Sequence, residues 1–257
     1  MDSSLKAPPL IHCITNPISI NDVANVILIL GMSPMMAEHP KEVAQITKGA
    51  SALLLNLGNI TDVRMEAMRL AAASAKTHEV PLFIDAVGIS ASTLRLSFLR
   101  DLLADHAPVL IKGNYSEMMS LQSGALTTKG VDSAPVDPQA VAQALKELGA
   151  THSGFLLATG PLDLLWTGQK VLALQGGHPR MARLTGTGCM LGACLACHYI
   201  KEGTQDSLIE GLSLFAQAGS LAAQNSPGQG HFHLAFLDAI DHLSHHPLEV
   251  PRHVHPF

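Results

Sequence analysis

The run Arg183-Leu-Thr-Gly-Thr-Gly-Cys189 sets two glycines and two threonines directly ahead of an apolar, small-residue stretch, residues 190–200, whose spacing predicts a buried helix. A helix N-terminus offers unpaired N–H donors and about half a positive charge, and glycine lets an oxygen approach the main chain. Gly186, Thr187 and Gly188 are therefore read as an anion hole, with Cys189 at its mouth. The other reading is a tight strand-to-helix turn around a buried structural cysteine. Asn114-x-x-Glu117 places an amide and a carboxylate one helical turn apart, a spacing that can hold a hydrated Mg²⁺ beside phosphate oxygens and that also serves as a capped helix start. Asp85 ends the apolar run Pro81-Leu-Phe-Ile-Asp85, and Lys112 ends Val109-Leu-Ile-Lys112. An anion hole, a strand-end carboxylate, a strand-end ammonium and a metal-compatible pair suit phosphoryl transfer, which needs positioning and charge neutralisation more than covalent chemistry. No G-x-x-x-x-G-K-[ST] and no strand-linked G-x-G-x-x-G occurs, so P-loop and dinucleotide-binding readings are weak.

These residues need strands to deliver them and helices to cover the strands. Residues 10–14 read as a first buried strand, ended at Asn16 because Pro17 pushes its predecessor out of the helical region. Asn21-Asp22 can cap a helix that stops at Gly31, followed by a short strand, 33–37. Helices at 41–48, 62–76, 94–105 and 138–148 alternate with strands at 52–56, 81–85, 109–112 and 154–160, and another helix follows Asn114. Residues 163–166 and 170–174 form a strand pair around Thr167-Gly168-Gln169. A long helix rich in Ala, Gly and Ser spans 206–224, is broken at Pro227-Gly228, and precedes a last helix, 232–243. Residues 245–257, with His245, His246, His253 and His255, read as a solvated, flexible tail. The pattern predicts an α/β fold, a three-layer α-β-α sandwich with a mostly parallel sheet covered on both faces, in a single domain spanning 1–257. Asn16, Met36, Asp85, Lys112, Asn114, Glu117, Thr159 and the turn at Gly186 then share the C-terminal edge of one sheet, where open α/β sheets collect ligands.

Composition narrows the partners. The chain is 47% hydrophobic and 14% charged, with a formal charge of −5 and no basic cluster, which argues against nucleic acid and for small molecules held at a local site. Residues 1–6 lead into Pro8-Pro9 without an apolar core or cleavage site, so no secretory signal is read there. The most apolar stretch, 26–30, falls far short of the roughly 20 residues of a membrane span. Four cysteines, three of them in one predicted helix, do not form a disulfide framework. A cytoplasmic protein is the expectation.

With these residues in view, the sequence resembles the hydroxyethylthiazole kinase family, thiamine-salvage members of the ribokinase-like superfamily. The markers are His12-Cys-Ile-Thr-Asn16, Gly31-Met-Ser-Pro-Met-Met-Ala37, Asp85-Ala-Val87, Lys112-Gly-Asn-Tyr-Ser-Glu117, Ala158-Thr-Gly160 and Gly186-Thr-Gly-Cys189. The resemblance implies transfer of the γ-phosphate of MgATP to the primary alcohol of 4-methyl-5-(2-hydroxyethyl)thiazole, in homotrimers with active sites at subunit interfaces. It assigns Met36 and Gly186 to the thiazole pocket and Asn16 to the substrate's polar end. Lys112 and Thr159 go to ATP, while Asp85 and Glu117 organise Mg²⁺ and its waters, with Asn114 beside them. Cys189 takes the catalytic place that an Asp fills in most ribokinase-like kinases. Lys112 departs from a common Arg, Ala86 from a usual Pro, and Pro161 from a frequent acidic residue. Gln229 and Gly230 alter a Pro-Gly-Ser-Phe segment. The rivals are a related kinase acting on hydroxymethylpyrimidine or a sugar, and a catalytically silent regulator that binds the thiazole or ATP. Retention of Asp85, Asn114 and Glu117 together favours an enzyme.

Overall fold

The computed structural model describes residues 7–127, 136–246 and 254–257. Residues 1–6, read above for a leader, and Pro247 and His253 of the C-terminal segment lie outside them. In order the chain forms β1 (Leu10–Ile14), α1 (Ile20–Ile29), β2 (Ser33–Met35), α2 (Val43–Lys48), β3 (Ala52–Asn56), α3 (Asp62–Thr77), β4 (Leu82–Asp85), α4 (Thr93–Asp105), β5 (Leu110–Asn114) and α5 (Tyr115–Ser123). Then follow α6 (Pro138–Gly149), β6 (Phe155–Thr159), β7 (Asp163–Trp166), β8 (Val171–Leu174), a 3₁₀ turn (Pro179–Arg183), α7 (Thr187–Glu202), α8 (Gln205–Gln224), α9 (Gln229–His245) and β9 (Val254–Pro256).

One sheet runs β2-β1-β3-β4-β5-β6-β7-β8-β9. The first six strands are parallel and the last three join antiparallel. The parallel strands are apolar along their length because both faces are covered. Alternate residues feed two cores. Ile11, Cys13, Leu54, Phe83 and Leu110 pack under α1, α7, α8 and α9, whereas Ile14, Leu53, Leu55, Ile84 and Ile111 face α2 to α6. The α-β-α sandwich expected from the sequence is thus the fold. β1 connects outward to β2 and inward to β3, so the strand order reverses at β1, where such sheets open a ligand crevice.

Several elements differ from the sequence reading. β2 ends at Met35, which leaves Met36 just past the strand. The first helix begins at Ile20 after Ser19, not at an Asn21-Asp22 cap. No side chain caps the helix; Asn16 instead closes the turn before it, its Oδ1 accepting from the N–H groups of Ile18 and Ser19, both at 3.1 Å. The last helix starts at Gln229 and runs to His245. Within the segment read as a tail, Val254–Pro256 is strand β9 and pairs with β8, taking up backbone groups that a strand edge would otherwise leave open.

His12, on the face of α2, shows how the polar interior is satisfied. It is fully buried, with Nδ1 2.8 Å from Thr47 Oγ1 and Nε2 2.9 Å from the carbonyl of Ala37. A neutral ring with its proton on Nε2 fits both contacts. Burial lowers its pKa from the ordinary 6.5, and the Ala37 carbonyl only partly opposes this. The unfolded chain therefore binds a proton here at pH values where the folded chain does not, so the contribution is complete above about 6.5 and is lost as pH falls toward the lowered value. Thermal midpoints measured from pH 8 to pH 5 should decline on the acid side, and His12→Asn should be less stable at pH 8 yet show a shallower acid slope.

Candidate active site

Register builds the centre of the site. Asn56 lies opposite Asp85, and Asp85 opposite Lys112, so the last residues of β3 and β4 share one row with Lys112, the third residue of β5, which runs on past the expected end at Lys112 to Asn114. Two residues earlier the same row is Leu54, Phe83 and Leu110, which pack under α7; the period of two therefore aims Asn56, Asp85 and Lys112 at that helix as well. Lys112 Nζ donates to Asp85 Oδ1 at 2.8 Å, and Asn56 Nδ2 donates to Asp85 Oδ2 at 2.9 Å and to Cys189 Sγ at 3.2 Å. Asn16 Nδ2 reaches Cys189 Sγ at 3.3 Å and Asn56 Oδ1 at 3.0 Å, and Gly58 N–H adds a second donor to Asn56 Oδ1 at 2.9 Å. One network of buried side chains thus joins β1, β3, β4 and β5 to the first turn of α7.

Charge in this network is compensated locally. Asp85 is 1% exposed and Lys112 is 4% exposed. Burial pushes the Asp85 carboxyl above its ordinary value, against the pull of Lys112 and Asn56. Burial also works against the Lys112 ammonium, but Asp85 first, with Cys189 and Glu117 adding to it, holds the lysine above its usual value. With both carboxylate oxygens accepting from donors, the ion pair is the form that this geometry supports. Glu117, on α5, is raised by burial and steadied by two backbone donors, Gly88 N–H to Oε1 at 2.7 Å and Asn114 N–H to Oε2 at 2.6 Å. Asn114 Oδ1 accepts from Glu117 N–H at 2.9 Å, so the two residues form a capping box at the start of α5.

The start of α7 faces this row. Gly186 is its N-cap in the left-handed region (φ 88°), where a Cβ would also lie 2.8 Å from that of Ser19. Thr187 N–H goes to the Leu184 carbonyl at 3.4 Å and Met190 N–H to Gly186 at 2.9 Å. The N–H groups of Gly188 and Cys189, between them, have no carbonyl within the helix to reach. A Cβ on Gly188 would stand 3.4 Å from Lys112 Nζ, so ammonium and helix terminus converge. Beside them opens a cavity of about 730 Å³, lined by Thr159, Gly160, Pro161, Thr187, Gly188 and the 3₁₀ turn among others.

The predicted residues fall on the expected edge with different degrees of contact. Asn16, Asp85, Lys112 and Cys189 are bonded into one unit, and Glu117 closes the same region from α5. Gly186, Thr187 and Gly188 lie at the helix start, but the Thr187 hydroxyl turns back to the carbonyls of Leu184 (2.6 Å) and Met181 (3.0 Å). Thr159 lines the cavity, and its hydroxyl donates to Gly113 at 3.3 Å. Met36 is half-buried at the end of β2, against the core under α1, and no hydrogen bond joins it to the network. Asn56 was not singled out from sequence, although a polar residue closing the run Ala-Leu-Leu-Leu-Asn carries the same signal that marked Asp85.

Among solved structures, the hydroxyethylthiazole kinase of Pyrococcus horikoshii matches at TM-score 0.86 and 24% identity over 97% of this chain and 94% of that one. Bacillus subtilis pyridoxal kinase, as an ADP complex, matches at 0.64 and 18% over 87% and 94%. These likenesses show the fold, the ribokinase-like α-β-α sandwich. Sequence narrows it. The model of the hydroxyethylthiazole kinase family matches residues 3–246. The hydroxyethylthiazole kinase of Finegoldia magna is 43% identical over 188 residues, covering 73% of this chain and 70% of its own, and that of Nitratidesulfovibrio vulgaris is 35% identical over 245 residues, covering 95% and 91%. The chain belongs to the hydroxyethylthiazole kinase family.

Asn56 offers the most direct test of the network. Asn56→Ala leaves Asp85, Asn16 and the Gly58 N–H each one partner short, and a buried group without its partner costs about 1–3 kcal/mol. Urea unfolding should show at least that loss, and turnover should fall although the substituted side chain is neutral; full activity would remove Asn56 from the site.

Proposed function

We propose that this site transfers the γ-phosphoryl group of ATP to the primary alcohol of 4-methyl-5-(2-hydroxyethyl)thiazole, as family membership implies. The observation that carries the reading is the row Asn56, Asp85 and Lys112 facing the first turn of α7, with Cys189 Sγ between two amide donors. The cavity beside Thr159 and Gly188 is the seat we assign to ATP, with its phosphates running toward Lys112 and the N–H groups of Gly188 and Cys189. The acceptor enters at the Asn16 end, near Gly186 and Met36. There the buried hydroxyls of Thr15 and Ser19 have no partner among the described residues, which favours a polar ligand nearby.

Mg²⁺ fits this donor set through water. Among the described residues no three His, Cys, Asp or Glu side chains converge as direct ligands, and every oxygen of Asp85 and Glu117 already accepts one bond. Each oxygen keeps further lone-pair capacity for a metal-bound water, as a phosphate-bound, hydrated Mg²⁺ requires. Bound there, the ion would neutralise phosphate charge. Asn114, whose oxygen caps α5, would help through Glu117. Cys189 Sγ, facing the site as an acceptor, positions the substrate hydroxyl and takes its proton late, because a loose transition state needs little deprotonation beforehand.

We also propose that residues 1–257 form one kinase domain, supported by the single sheet through all described strands. A cytoplasmic setting is supported by four free, buried thiols, and no described helix is long and apolar enough to cross a membrane. For a homotrimer with sites at its interfaces, the support is exposed apolar side chains beside the acceptor end, Ile18 at 66% and Met35 at 39%.

A coupled ADP-release assay across thiazole, pyrimidine and sugar alcohols tests the assignment, and turnover with a pyrimidine or sugar alcohol alone would reject it. Glu117→Gln should lower kcat sharply with the fold intact. Asp85→Asn is a less clean test, because it leaves the buried Lys112 unpaired. Cys189→Ser should reduce kcat by no more than the ~10²–10⁴-fold of a general base, and Cys189→Asp should stay active.

A further inference from the structure

The 3₁₀ turn Pro179–Arg183 walls the large cavity with Pro179, Met181 and Ala182, yet it has no buried residue of its own. Glycines in the left-handed region bracket its loop, Gly177 (φ 82°) before it and Gly186 (φ 88°) after it. A short 3₁₀ segment has poor internal hydrogen-bond geometry, so its position must be set from outside. Behind the turn, Arg180 Nη1 donates to the carbonyl of Ser226 at 2.8 Å and stretches to that of Ala223 at 3.5 Å, while its guanidinium lies 5.0 Å from the centroid of the Phe232 ring. Gln229 Nε2, at the first residue of α9, donates back to the carbonyl of Arg180 at 3.0 Å. In front, the Thr187 hydroxyl holds Leu184 and Met181, and Met181 sits so close on α8 that a Cβ at Gly219 would lie 2.1 Å from its sulfur.

We propose that Arg180 and Gln229 are positioning residues for nucleotide binding: together they clasp the cavity wall to the α8–α9 corner and so fix its distance from the first turn of α7. The inference rests on the assignment of ATP to this cavity. With the clasp open, only the Thr187 and Met181 contacts still hold the wall, which gains freedom at its flanking glycines that ATP must remove on binding.

The test is steady-state kinetics with ATP and the acceptor varied separately. Gln229→Ala removes one hydrogen bond and should raise KM for ATP about three- to tenfold, while the acceptor KM and kcat move less. Arg180→Ala should raise it further, and Gln229→Lys, which can still donate to the Arg180 carbonyl, should recover most of the loss. If Arg180→Ala does not fold, the Gln229 pair decides. A lower thermal midpoint for Gln229→Ala with unchanged KM for ATP would overturn the inference and leave only a structural role. Pro161→Trp fills the cavity from the side away from the clasp. An increase in its KM for ATP without one in Gln229→Ala rejects the clasp alone, whereas no increase in either rejects the cavity as the nucleotide seat and the clasp with it.

Discussion

A buried ammonium beside a buried carboxylate, Lys112 Nζ at 2.8 Å from Asp85 Oδ1, is the interaction on which the rest of the site depends. Taking either ion from water costs several kcal/mol, so neither is tolerated without the other and without further donors. The fold supplies these. Adjacent parallel strands put Asn56, Asp85 and Lys112 in register, and the second oxygen of Asp85 is met by Asn56. Asn56 is held in turn by Asn16 and by the Gly58 N–H, which extends the constraint to the crevice where the strand order reverses. Two amides satisfied in this way present N–H groups to Cys189, so the orientation of the sulfur follows from the ion pair through the single intervening residue Asn56.

Under the proposed assignment of ATP, the same constraint lets a site for polyphosphate be built in a chain with a net charge of −5 and no basic cluster. Lys112 is already neutralised by Asp85. The additional positive potential comes from the start of α7, where glycines allow close approach and N–H groups lack helical partners. Carboxylates close to such a site have to be steadied, as Glu117 is by the N–H groups of Gly88 and Asn114. Phosphoryl transfer asks for this kind of fixed electrostatic frame more than for a strong base.

How much of this the sequence discloses depends on the range of the interaction. The apolar run ended by Asp85 announces a strand end, and Gly186 to Gly188 ahead of an apolar run announces a helix start, because both signals lie within a few residues; the run ended by Lys112 announces the strand but not its end, since β5 continues to Asn114. Register is not local. Nothing near Asn56 states that it will face Asp85, and its role emerges only when β3 and β4 pair. Capping misleads for a related reason: Asn21 and Asp22 look like caps, but they lie inside α1, because the turn that Asn16 closes through Ile18 and Ser19 lets the helix begin at Ile20. The strand at Val254–Pro256 is likewise invisible in a His- and Pro-bearing terminus, since its pairing with β8 is what makes it a strand.

The central claim, that Asp85 and Lys112 act as one unit, is tested most directly by a double-mutant cycle on folding stability with Asp85→Asn, Lys112→Met and both together. Breaking a buried pair from one side costs about 3–5 kcal/mol, because it strands the other charge, whereas removing both partners is far cheaper. The account predicts that the double variant is more stable than the sum of the single losses allows by at least about 2 kcal/mol. Additive losses would contradict it.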